Sequence, residues 1–143
     1  MSKLSKIPYV TLALALIITI IQFMRPNGSY NDPFMVNMNV YSWDILYNQP
    51  WRIITSPFLN HDYLHYFQNL VFLLLFGWQI ENKFGKAMLL GAFFGGIVMS
   101  YVIWINVMHD WIIGISGGIC GLFGFSLIGN RRTTYPAFRQ PTL

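Results

Sequence analysis

Ser116 lies in the run Gly114-Ile115-Ser116-Gly117-Gly118-Ile119-Cys120-Gly121-Leu122-Phe123-Gly124, inside an apolar stretch long enough to be a membrane span. A hydroxyl in hydrocarbon has no water around it, so it bonds to its own backbone, bonds to a neighbouring helix, or does chemistry. The chemistry open to it is acyl transfer: a base takes the serine proton, the oxygen attacks a carbonyl, and the resulting oxyanion needs preorganised donors. His65 and Asn69 are four residues apart, which places both on one helix face, and each can present an N–H. Gly114 and Gly117 leave room for a substrate backbone beside Ser116. The N-terminal end of the helix bearing Ser116 adds partial positive charge for an oxyanion.

Plainer roles remain open for the same residues. Ser116 serves equally as a packing serine in a glycine-rich span, and His65 with Asn69 as an interhelical hydrogen-bond pair. Glu81 reads as a solvated or capping carboxylate, and His61 and His109 as interfacial side chains in outer turns. Cys120 reads as a small buried hydrophobe. Gly117, Gly121 and Gly124 are packing glycines on either account.

Composition restricts the setting. Of 143 residues, 55% are hydrophobic and only 10% charged, against about 25% charged in an ordinary soluble domain. This is the balance of a membrane protein. The formal charge of +4 is spread too thinly for a nucleic-acid groove, and no basic run is interleaved with aromatics. One cysteine excludes an internal disulfide and any Cys/His metal cluster, so neither metal nor cofactor is implied.

The elements that must position these side chains are apolar runs at about 9–24, 64–80, 87–107 and 111–128. They predict an all-α, polytopic helical bundle with four transmembrane helices in a single domain spanning 1–143. Residues 25–63, rich in Asn and broken by Pro26, Gly28, Pro33 and Pro50, read as an outer loop lying partly in the interface. Residues 130–143, with Pro136 and Pro141, read as a polar tail. Within the third run, Gly91-x-x-x-Gly95 and Gly96-x-x-x-Ser100 are spacings that allow close helix approach.

Charge orients the bundle. Lys3, Lys6, Lys83, Lys86, Arg131, Arg132 and Arg139 fall on one side, and Arg25 and Arg52 on the other. By the positive-inside rule both termini are cytoplasmic. Asp32, Asp44, Asp62 and Asp110 fall on the outer side. The second span then begins outside, and at about 1.5 Å per residue His65 and Asn69 lie within roughly 8 Å of its outer end. Ser116, five residues past Trp111 on another inward-running span, has a similar depth, so three polar side chains share one layer.

Four motifs, in order, resemble those of the rhomboid family of intramembrane serine proteases. Trp51-Arg52 is similar to the Trp-Arg that ends the family's first loop. His65-Tyr66-Phe67-Gln68-Asn69 is similar to its H-x-x-x-N, and Glu81-Asn82-Lys83-Phe84-Gly85 to its E-x-x-x-G. Residues 114–124 resemble G-x-S-G-x-x-x-G-L-x-G. The resemblance implies a helical bundle with a cavity open to the outer side, cleaving membrane-anchored proteins near or within their spans. It makes Ser116 the nucleophile, and His65, Asn69 and the Ser116 backbone N–H the oxyanion hole. Arg52, Glu81, Gly85 and Gly121 become structural. The partners it implies are the lipid bilayer and single-span substrates or clients.

Asn60 stands where the family often has a histidine, and Cys120 where it often has an aromatic residue. The larger departure concerns the base. The family's core has six spans, and the histidine that activates the serine sits on the sixth, for which residues 1–143 hold no counterpart. The expectation is a C-terminally truncated rhomboid, inactive alone. The alternatives are a pseudoprotease-like module that binds transmembrane helices, or one half of a split enzyme completed by a second chain.

Overall fold

The structure, a computed structural model, describes residues 7–24, 33–40, 42–107 and 114–134, apart from the side chains of residues 34, 35 and 130–134. Lys3, Lys6, Arg25, His109, Asp110, Trp111 and the tail from 135 lie outside the described residues. Within the described residues all regular structure is helical: α1 (Tyr9–Met24), α2 (Pro33–Met38), α3 (Trp43–Asn48), α4 (Arg52–Thr55), a 3-10 turn (Ser56–Phe58), α5 (Tyr63–Phe84), α6 (Lys86–Val107) and α7 (Ser116–Thr134).

The long helices form the bundle. α6 buries Leu89, Phe93, Ile97, Tyr101 and Ile105, a stripe with a residue every four positions. Its other faces expose Val98, Met99, Val102 and Ile103, equally apolar. A helix apolar all round needs apolar surroundings all round, and α6 is the one described helix long and apolar enough to cross a membrane. α1 and residues 116–129 of α7 are apolar but shorter, at 10–17 residues. α5 has the length, at 22 residues, but carries Gln68, Asn69, Gln79, Glu81 and Lys83 along it.

Two carboxylates fix the ends of α5. Glu81 is buried and accepts from the backbone N–H of Val10 (3.0 Å) and of Thr11 (2.8 Å) and from the Thr11 hydroxyl (2.8 Å). It therefore neutralises the partial positive charge at the start of α1 and binds α1 to the far end of α5. Gly77 completes this contact, because a Cβ there would stand 2.7 Å from Thr11 Cγ2. At the other end, the Asp62 carboxylate caps α5 by accepting from His65 N at 2.7 Å. Gly85, at φ 91°, ends the helix and donates its N–H to Glu81 O, letting the chain turn directly into α6.

Residues 33–58 are more ordered than their Asn and Pro content predicts. Ser42 caps α3 by accepting from Ile45 N, Asp44 occupies its first turn, and Trp43, Leu46 and Tyr47 give it an apolar face at i, i+3, i+4 spacing. The buried Arg52 gathers the loop. Its Nη1 donates to the carbonyls of Val36 (3.0 Å) and Asn39 (2.6 Å), and its Nε to Gln49 Oε1 (2.7 Å). Hydrogen bonds from Trp43 Nε1 to Asn106 and between the Ser56 and Tyr101 hydroxyls fasten the loop to α6.

α7 also differs from the run read at 111–128. It begins at Ser116, because Gly114 at φ 90° occupies a conformation no right-handed helix contains. It continues through Asn130-Arg131-Arg132 to Thr134, where basic residues suit the negative end of a helix.

Candidate active site

The Asp62 cap, with His61 Nδ1 3.0 Å from Asp62 Oδ2, fixes the first turn of α5. From that turn His65 projects half-buried, and one turn later Asn69 is buried. Asn69 Nδ2 donates to Oδ1 of the fully buried Asn60 at 2.8 Å. Across from this pair lies the backbone of Gly114. A Cβ there would stand 2.9 Å from His65 Cε1, 3.2 Å from His65 Nε2 and 3.4 Å from Asn69 Nδ2.

Ser116 follows two residues later as the first residue of α7. The α7 hydrogen-bond ladder opens with Ile119 N donating to Ile115 O at 2.9 Å, so the Ser116 N–H is among the helix-start donors with no intrahelical acceptor. The serine itself is exposed, on a groove of about 510 Å³ between α6 and α7 whose walls include Gly96, Ser100, Trp104, Gly117 and Cys120.

The floor of that groove is a glycine contact. A Cβ on Gly96 would overlap the Gly117 carbonyl, and one on Gly121 would overlap the Ala92 carbonyl. Gly117 itself rests on Ser100, whose hydroxyl donates to Ile97 O at 2.7 Å. The two small-residue spacings on α6 thus part company: Gly96 and Ser100 pack against α7, whereas around Gly91 and Gly95 a Cβ would meet open space. Cys120, read from sequence as a buried hydrophobe, is exposed on the groove one turn after Ser116. The correction follows from register, since i and i+4 share a helix face and Ser116 faces outward.

The structure thus brings the His65 imidazole and the Asn69 amide against Gly114, two residues before Ser116, whose side chain lies on the α6–α7 groove. Arg52, Glu81 and Gly85 stand apart, holding the loop and the far end of α5. Among the described histidines, His61 is occupied by Asp62 and His65 faces Gly114. In the sequence Asn60 stands out only as a departure from a family pattern. The available signal was a buried-type loop, Pro57-Phe58-Leu59, delivering an amide just before the α5 cap.

A family profile described as Rhomboid domain matches residues 47–142, a stretch that holds Arg52, His65, Asn69, Glu81, Gly85 and Ser116. The chain belongs to the rhomboid family. Rhomboid proteins are integral to membranes, and α6 is the helix here with the length and apolarity for that setting. Among curated relatives, YdcA of Bacillus subtilis is 32% identical over 89 residues, 61% of this chain and 45% of YdcA. RHOMBOID-like protein 6, mitochondrial, of Arabidopsis thaliana is 30% identical over 84 residues, 56% of this chain and 26% of that one. Rhomboid protease GlpG of Haemophilus influenzae is 24% identical over 122 residues, 85% of this chain and 63% of GlpG. The chain thus spans less than two thirds of the length of each of these rhomboid relatives. No solved structure matches it.

Proposed function

We propose that this chain carries the nucleophile and the oxyanion donors of a rhomboid serine endopeptidase, and that its general base is none of His61, His65 and His109. Ser116 Oγ attacks the scissile carbonyl carbon as the base accepts its proton, and the carbonyl electron pair moves onto oxygen. His65, Asn69 and the Ser116 backbone N–H donate to that oxyanion. Collapse expels the amine, which takes the proton from the base, and water releases the acyl group in a second addition and collapse. The observation that carries this reading is the backbone of Gly114 lying against His65 and Asn69, two residues before a serine that opens a helix.

The proposed setting is a bundle crossing the bilayer four times with both termini cytoplasmic, and with Ser116, His65 and Asn69 near the outer end. Exposed Lys83 and Lys86 beside the α5–α6 turn support that orientation. The substrates are single-span membrane proteins, cut near or within the span, where an apolar groove beside Ser116 admits an extended or unwinding segment.

His61 is held by the α5 cap, His65 is an oxyanion donor, and His109 precedes Ser116 by seven residues. A base supplied from elsewhere then restores reactivity. The test is labelling of the chain of residues 1–143 in detergent with an alkyl fluorophosphonate, with and without added imidazole, against Ser116→Ala. Labelling that imidazole accelerates and Ser116→Ala abolishes is the expected result; no labelling at Ser116 under either condition refutes the proposal.

A second reading, a module that binds transmembrane helices without cutting them, is favoured by one observation. The α6–α7 groove and the α7 positions Ser116, Cys120 and Leu127 are exposed among the described residues. Capture of a single-span client that survives Ser116→Ala, from a chain that never labels, would select it.

A further inference from the structure

We infer that Asn60 is a positioning residue, one that acts through Asn69 by fixing which atom of the Asn69 carboxamide faces Gly114; the inference rests on the acyl-transfer reading of this site. A carboxamide has a donor end and an acceptor end of nearly equal size. Turned one way, Asn69 offers N–H to an oxyanion, and turned the other way it offers a repelling oxygen. Nothing in the shape of the side chain chooses between them. The choice goes with the 2.8 Å hydrogen bond in which Asn69 Nδ2 donates to Asn60 Oδ1, and it requires that Asn60 turn its own oxygen toward Asn69.

Asn69 Nδ2 is also the atom of that side chain nearest the position a Cβ on Gly114 would take, at 3.4 Å. One of its two protons is committed to Asn60, and the second remains for a substrate oxygen. Both asparagines are buried, Asn60 completely, so the bond forms where water competes least. Asn60 is itself held in place. It follows the 3-10 turn Ser56–Phe58, in which Ser56 is bonded to Tyr101 and Pro57 and Phe58 are buried, and it precedes the Asp62 cap by two residues.

The test uses the ¹⁵N-labelled chain of residues 1–143 in detergent micelles, with the Asn69 side-chain amide assigned by its loss in Asn69→Ala. The two Asn69 amide protons should differ in exchange with water by about tenfold, the ratio a net hydrogen bond of roughly 1.4 kcal/mol gives. Asn60→Leu should bring the two rates together, and Asn60→Asp, which keeps an acceptor, should preserve the difference. Equal rates in the unsubstituted chain, or a difference that persists in Asn60→Leu, would overturn the inference. Kinetically, Asn60→Leu should slow imidazole-assisted phosphonylation of Ser116 by about tenfold, less than the hundredfold or more expected on deleting an oxyanion donor outright. In an Asn69→Ala background it should slow it no further; equal slowing in both backgrounds would show a role in folding alone and overturn the inference. A chain that never reacts at Ser116 would refute the acyl-transfer reading, while the exchange rates would still decide whether Asn60 orients Asn69.

Discussion

The backbone of Gly114 lies against the imidazole of His65 so closely that a Cβ at residue 114 would stand 2.9 Å from Cε1. Gly114 also has a φ of 90°, which side-chain-bearing residues rarely adopt. Gly114→Ala therefore strains the backbone by about 1–3 kcal/mol and pushes the His65 ring aside. The expected outcome is a folded but less stable chain whose His65 ring proton shifts move and whose Ser116 labelling falls by at least about tenfold, one donor's displacement. Unchanged His65 shifts would count against the contact.

Glu81 predicts a stability effect without a local chemical one. Glu81→Ala leaves the Val10 and Thr11 donors without their acceptor, at a cost of about 1–3 kcal/mol. Glu81→Gln keeps an acceptor oxygen but loses the charge facing the helix dipole, so its loss should be smaller. Thermal unfolding in detergent should rank the chains native, Gln, Ala, with the relative labelling of folded Ser116 unchanged.

The cap on α5 gives a pH dependence. The hydrogen bond from the His65 backbone N–H, and after it the His61 side chain, holds the Asp62 carboxyl below its ordinary range, against a small opposing effect of burial. A carboxyl lowered in the folded state stabilises it fully above the unfolded pKa, and that contribution disappears as pH falls through the folded value. The first turn of α5 should therefore loosen below about pH 4. Asn caps helices as well as Asp does, so Asp62→Asn should leave neutral stability nearly intact and remove this acid-induced step, read as amide exchange at residues 63–66.

The α6–α7 contact predicts steric intolerance. Gly121 meets the backbone of Ala92 and Gly96, where no side chain can yield. Gly121→Val should destabilise the chain by about 1–3 kcal/mol or more through overpacking, whereas Gly124→Ala, inside α7 with open space around it, should be neutral or stabilising by up to about 1 kcal/mol through helix propensity. Paired melting curves of the two variants separate close approach from glycine content as the cause.

Much of this was readable from residue order. The 9–24 run became α1 unchanged, because an uninterrupted apolar series between polar segments has one solution. His65 and Asn69 shared a face by spacing alone. What escaped was decided by contacts between distant residues. Arg52 orders the outer loop through the carbonyls of Val36 and Asn39, and carbonyl acceptors leave no trace in side-chain pattern. α3 did leave one, in Ser42, Asp44 and the Trp43-Leu46-Tyr47 face, but neighbouring Asn and Pro residues obscured it. The start of α7 depended on the sign of φ at Gly114, which the presence of a glycine permits without requiring. The Glu81 bond to α1 joins residues 70 apart, beyond any local signal.

The proposed arrangement gives Ser116 its oxyanion donors within residues 1–143 and its base from elsewhere. Its most direct measurement is the rate of Ser116 phosphonylation by a fluorophosphonate as a function of imidazole concentration. The basal rate should be slow, rise about a hundredfold with imidazole, the lower end of general-base catalysis, and fall about a hundredfold in Asn69→Ala. The same basal rate is predicted for His109→Ala. A fast rate independent of imidazole and lost in His109→Ala, or no reaction at Ser116 at any imidazole concentration, would contradict it.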